Sequence, residues 1–342
     1  MTQNGAMIHR EVVFSPRFLD SLRDVLDEWS TSLFDPASGG FRSGLGSDVD
    51  LLSSADMIWI RYAANSADPG APDRARILGY LQRAQDPLTG RISYHSRGQG
   101  HSDGHAFWMV VRALAILGGQ LSHFPAYQQP MMTAEGLASW FDGIDWSRVD
   151  RTDPRRSNHH EVLALIPVVA SITGLADVFL QKIGEQQDPI SGTWPRGKTS
   201  ISRTFAYSAV HLAAGKLPRH PDRIVSEMLR LQNASGTWDR ELPGYATMDA
   251  AYLLVRLPPR IGHRQADATA ALRKLSSAMR TVFAEEQPAF FANPHQLLAV
   301  VHTFGLLQEA FPDEYPAERS YRFDWDKLEM YVCDVIRQIG NI

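Results

Sequence analysis

Six polar residues recur at one relative place in the sequence, each near the start of a run of small and apolar residues. Asp56 lies in SSADMIW, His105 in DGHAFWM, His160 or Glu161 in HHEVLAL, Arg203 in ISRTFAY, Asp249 in TMDAAYL and His295 in NPHQLLA. A lone polar residue in such a run is ordinarily a cap or a satisfied core group. The same kind of residue at the matching place of six runs is better read as the lining of one pocket. Acid–base work is the chemistry such a set could perform. Asp249 is the expected acid, because a helix apolar on all sides desolvates its carboxyl and favours the neutral, proton-donating form. Asp56, close to Asp48 and Asp50, is the expected partner carboxylate. Arg203, His105, His160, Glu161 and His295 suit recognition of a carboxylate or a hydroxyl-rich ligand.

Two further groups could touch such a ligand. The loop SYHSRGQGHSDG places His95, Arg97, His101, Asp103 and His105 within eleven positions. Its spacing offers no tight metal-ligand set, so Asp103 and His101 are read as substrate contacts and no metal is expected. Trp59, Trp108, Phe107, Phe205, Tyr207 and Tyr252 fall on the apolar runs, where aromatic faces hold sugar rings and carbocations alike. Of these, Trp59, Trp108 and Tyr252 are the expected ligand contacts.

Helices must position these residues, and the clearest evidence for them is a duplicated stretch from Thr173 to Leu257. It reads TGLADVFLQKIGEQQDPISGTWPRGKTSISRTFAYSAVHLAAGKLP and then PDRIVSEMLRLQNASGTWDRELPGYATMDAAYLLVRLP. Each copy is an amphipathic helix, a turn closing on Gly-x-Trp, a polar loop and a small-residue-rich helix. Self-similarity at roughly fifty residues marks an array of helical hairpins. Trp194 and Trp238 are read as wedges that pack these turns.

The same order recurs along the chain, giving hairpins at roughly 17–66, 73–122, 133–174, 175–218, 222–260 and 267–312. In the last of them a turn is expected over EEQPAFFANP; a connector and one final helix, KLEMYVCDVIRQI, follow within 313–342. The third hairpin lacks the Gln and Gly-x-Trp signature. Six hairpins bury their faces best by closing on one another, so a single all-α domain is expected, an (α/α)6 toroid with the more apolar helix of each pair inside.

The turns QDPLTGRI, QQDPISGTW and LQNASGTW resemble those of the six-hairpin toroid superfamily. This includes the (α/α)6 glycosidases, such as unsaturated uronyl hydrolases, and the terpenoid cyclase and protein prenyltransferase toroids. The resemblance implies a toroid fold but leaves the reaction open. SDVDLL and TMDAA lack the Asp-x-Asp-Asp acid motif of class II terpenoid cyclases. Cys333 lies beyond the ring positions where a prenyltransferase zinc ligand would stand. TWPRGK only partly echoes the Trp-x-Arg-Gly-x-Gly-Trp signature of the uronyl hydrolases.

With 44% hydrophobic and 21% charged residues and a net charge of −4, the chain carries no electrostatic footprint for nucleic acid or an anionic membrane. No run approaches about 20 apolar residues and no secretory leader is visible, so a cytoplasmic location is expected. The single Cys333 excludes an internal disulfide framework. The expected function is a glycoside hydrolase or lyase acting, without a cofactor, on an oligosaccharide that could carry uronate. The alternatives are a terpenoid cyclase-like enzyme working on a prenyl substrate and a non-catalytic binding toroid; the oligomeric state is left open.

Overall fold

The computed structural model describes residues 12–93, 102–146 and 158–340. With 60% helix against 3% strand, the protein is all-α. Two kinds of helix alternate. The first kind buries a single stripe: α1 (Phe18–Ser32), α3 (Arg74–Arg83), α5 (Ala134–Asp142), α8 (Leu175–Glu185), α10 (Pro221–Leu231) and α12 (Gln265–Phe291). α3, for example, buries only Ile77 and Leu81. The second kind is buried nearly all round: α2 (Leu51–Ala63), α4 (Asp103–Ile116), α6 (Asn158–Ala164) continued by α7 (Ile166–Ser171), α9 (Ile201–Ala213), α11 (Tyr245–Ile261) and α13 (Pro294–Ala310). In α2 every residue except Tyr62 is buried. Helices with apolar surface on every side must lie inside the others. α2 packs between α4 and α13, α11 between α13 and α9, and α6 against α4.

One turn, built four times, joins outer to inner helices. Asp35, Asp86 and Asp188 each accept a backbone N–H three residues on, from Ser38, Thr89 and Ser191. This is the local hydrogen bonding that makes Asp a turn former. Gly39, Gly90, Gly192 and Gly236 follow at positive φ. A clasp forms where a glutamine precedes the turn: the amides of Gln85, Gln187 and Gln232 donate to the carbonyls of Gly90, Gly192 and Gly236. Trp194 and Trp238 are buried in the turns and donate from Nε1 to Ile183 O and Met228 O of the preceding helix, at 2.6 and 2.8 Å. The backbone amide of each of these tryptophans donates to a threonine one turn into the next helix, Thr204 or Thr247. Phe41 N donates to Ser54 Oγ in the same way.

Three local expectations change. The helix expected over HHEVLALIPVVASITG is broken into α6 and α7 at Leu165, because Pro167 has no N–H to continue the ladder. The turn expected over EEQPAFFANP is mostly helix: α12 kinks at Glu286, two residues before Pro288, and runs on to bury Phe290 and Phe291. α11 passes through Pro258 and Pro259 and stops at Gly262 in the left-handed conformation. The expected final helix is a 3-10 turn at Leu328–Tyr331, pressed against α4 and α7, followed by the short α14 (Asp334–Gly340).

The connector after α13 is a strap laid across the inner helices. Arg322 N donates to Ala63 O, and Arg112 donates to the carbonyl of Asp324, whose side chain accepts from Tyr62 at 2.6 Å. Tyr252 donates to Asp326, and Trp325 Nε1 donates to His302 Nε2 at 3.0 Å. These bonds tie the strap to α2, α4, α11 and α13.

Candidate active site

A cavity of about 200 Å³ opens at the N-terminal ends of the inner helices. His105 and Trp108 reach it from α4, His159, His160 and Leu163 from α6, Ser202, Phe205 and Ala206 from α9, Tyr245 and Asp249 from α11, and His295 from α13. Trp325 of the strap completes the wall. The lining residues of α9 fall at i, i+3 and i+4, as a helix presenting one face requires.

Asp249 is 1% exposed, and its Oδ1 has no hydrogen-bond partner among the described residues. Burial raises its pKa well above the usual carboxylate range, and the Ser202 hydroxyl offsets this only in part. Burial thus favours the protonated form of this carboxyl at the cavity wall.

His295 stands in the first turn of α13, which Asn293 caps by accepting from Gln296 N. Its Nδ1 lies 3.0 and 3.2 Å from the two oxygens of Asp56 and 3.3 Å from the Tyr245 hydroxyl. Asp56 itself is fully buried behind the imidazole and does not line the cavity. Burial raises its pKa while the His295 charge opposes that rise. A hydrogen bond from Nδ1 to Asp56 would leave the other ring nitrogen as the acceptor, the arrangement by which a carboxylate orients a histidine.

Two further imidazoles, those of His159 and His160, are held towards their neutral form. His160 is drawn down to about 4 by burial and by the charges of Arg203 and His295. His159 is driven well below its usual value by burial and the same arginine. The Ser102 hydroxyl caps α4 by accepting from His105 N and lies 3.1 Å from His160 Nδ1. The His105 ring centroid is 4.9 Å from that of His160 and 5.5 Å from that of His295. Among the described residues no cluster of His, Cys, Asp or Glu is placed to hold a metal ion.

Of the residues singled out in the sequence, Asp249, His105, His160, His295 and Trp108 thus line one cavity. Arg203 does not: it is buried one residue out of phase with the lining face of α9. The shared hydroxyl bonds fix the register that sequence alignment missed. Ser54, Thr204 and Thr247 are equivalent, and two residues beyond them stand Asp56, Ala206 and Asp249. Ala206 therefore occupies the place assigned to Arg203. Glu161 turns aside to the amide of Gly104, with burial raising its pKa, and Asp103 is exposed in the first turn of α4. Trp59 packs beneath Trp325 with ring centroids 4.4 Å apart, and Tyr252 packs on Phe323, so neither reaches the cavity. His101 lies outside the described residues. Ser202, Tyr245, His159 and Trp325 were missed. Ser202 could have been found from the i, i+3, i+4 face, whereas for Trp325 the local sequence offers only the alternation of Tyr321, Phe323 and Trp325.

No family model, curated protein or solved structure matches this chain. Among the described residues no helix is long and apolar enough to cross a membrane.

Proposed function

We propose that the chain is a closed (α/α)6 toroid whose cavity is the active site of a carbohydrate-active enzyme working on one terminal sugar ring. Support for the toroid comes from the alternation of one-stripe and all-round-buried helices and from a cavity lined by five of the inner ones. The observation that carries the enzymatic reading is the pairing, in one cavity wall, of a neutral buried acid with an imidazole held by a buried carboxylate. Asp249 gives its proton to the oxygen that leaves. His295, with Asp56 behind it, accepts a proton from the attacking water in hydrolysis or from the ring carbon in elimination. In hydrolysis the bond from the anomeric carbon to the leaving oxygen breaks and one to the water oxygen forms. The imidazoles and the hydroxyls of Ser202 and Tyr245 suit sugar hydroxyls, and Trp108, Phe205 and Trp325 offer faces for the ring.

Among the described residues no arginine or lysine lines the cavity. The three aromatic rings keep a terpenoid cyclase-like reading alive, since they would hold a carbocation as well; seven polar lining side chains weigh against a prenyl substrate. The cytoplasmic location belongs to the same proposal.

The test is incubation with a panel of neutral and uronate-bearing oligosaccharides, following new reducing ends and the absorbance of an unsaturated product. Turnover that Asp249→Asn abolishes is expected; turnover that survives Asp249→Asn, or none on any glycan, overturns the reading.

A further inference from the structure

Trp325 lines two neighbouring spaces. One is the 200 Å³ cavity. The other is a void of about 10 Å³, room for about one water molecule, bounded also by Ile166, Ala209, Leu328 and Tyr331. The two spaces share Trp108, Leu163, Phe205, Ala206 and Trp325 as walls. The Trp325 indole is 6% exposed and lies against Trp59, Trp108, Phe205 and His302, with ring centroids 4.4 to 5.6 Å away.

We propose that Trp325 is the specificity-determining stopper of the cavity, a side chain supplied by the strap that fixes how deep a ligand can enter. Three observations converge. The indole is held in place from both ends of the strap, by the bonds of Asp324 to Tyr62 and Arg112 and by that of Asp326 to Tyr252. Its one polar atom is satisfied by His302 Nε2, whose own Nδ1 donates to Leu298 O, so the acceptor is fixed in the tautomer that receives the indole N–H. A void walled mostly by apolar side chains already adjoins it. Removing the indole merges the two spaces into one deeper pocket with aromatic sides, in which His302 Nε2 is left as a hydrogen-bond acceptor without its indole donor. The inference concerns the shape of the cavity and holds whichever reaction the cavity runs.

The experiment uses Trp325→Ala in the full chain, with indole as the probe. The variant is expected to bind indole saturably, with a rise in melting temperature of about 2 °C when indole stands at about five times its Kd. The unsubstituted chain is expected to show no such rise. Naphthalene, which has no N–H for His302, is expected to bind the variant at least about tenfold more weakly than indole, the loss of a donor to a buried acceptor. A folded variant that ignores indole, or an unsubstituted chain that binds it equally, overturns the proposal. Should Trp325→Ala fail to fold, Trp325→Leu keeps apolar bulk on the strap and leaves room for toluene; a folded Leu variant that does not bind toluene overturns it as well.

Discussion

His295 Nδ1 lies 3.0 Å from Asp56 Oδ1, although 239 residues of chain separate the two. Helix α2 brings the carboxylate from near the start and α13 brings the imidazole from near the end, and the two helices pack directly on each other. The contact keeps the His295 ring from turning freely.

Asp56→Asn leaves the shape of this contact but removes the charge that orients the ring proton. A loss in kcat of about 10² to 10⁴ is expected with little change in KM. Steady-state kinetics on the substrate found by the glycan panel measure it, and an unchanged kcat would remove the pair from the mechanism.

Asp249 must be protonated to act as an acid. Its raised pKa means that activity is retained well above the ordinary carboxylate range and is lost as pH rises through the folded value. The alkaline limb of kcat/KM against pH reads this out. The same shift carries a stability cost: the folded state holds the proton more tightly than the unfolded chain, so stability falls as pH rises from the unfolded value of about 3.9 towards the folded one. Asp249→Asn, which cannot ionise, is expected to be inactive yet more stable by about 1 kcal/mol at pH 8, by urea denaturation.

His302 is buried and drawn down to about 3 from 6.5, chiefly by that burial. Above pH 6.5 neither the folded nor the unfolded state carries the charge. Between pH 6.5 and about 3 the unfolded chain takes a proton that the folded one refuses, so stability is lost as pH falls. The slope attributable to this residue is about 1.4 kcal/mol per pH unit. His160 adds to it between 6.5 and about 4. His302→Gln is expected to flatten the profile by about one proton, measured by denaturant melts across the range.

Gly192 and Gly197 share φ of 74°, yet their surroundings differ. A Cβ on Gly192 would lie 2.7 Å from His220 O, against the start of α10, whereas one on Gly197 meets nothing within 4 Å. Gly197→Ala is expected to cost about 1 to 2 kcal/mol, the conformational penalty alone. Gly192→Ala adds a backbone collision and is expected to cost about 3 to 4 kcal/mol. Thermal unfolding of the two variants side by side gives the difference.

The turns were legible because their causes are local. Asp188, Ser191 and Gly192 make their bonds within five residues, and Trp194 reaches back only to Ile183. The inner helices were legible from their lack of charge. Their registers were not, since a helix buried all round has no polar face to set its phase, and Arg203 took the place that belongs to Ala206. Asp249 could be assigned as an acid because desolvation follows from its apolar neighbours in sequence. The partnership of Asp56 with His295 could not, because only packing brings α2 beside α13. The strap looked like a Pro-rich connector, and the alternation of Tyr321, Phe323 and Trp325 was its one readable sign of burial.

The strap also fixes when the cavity comes into being. As the ribosome feeds out the chain from its N-terminus, α2 waits for α13, and the floor waits longer still for Trp325. A nascent chain that has already made Asp56, His105 and Asp249 therefore lacks the pocket they serve. A chain that stopped after α13 would carry Asp56, Asp249 and His295 without the Trp325 wall.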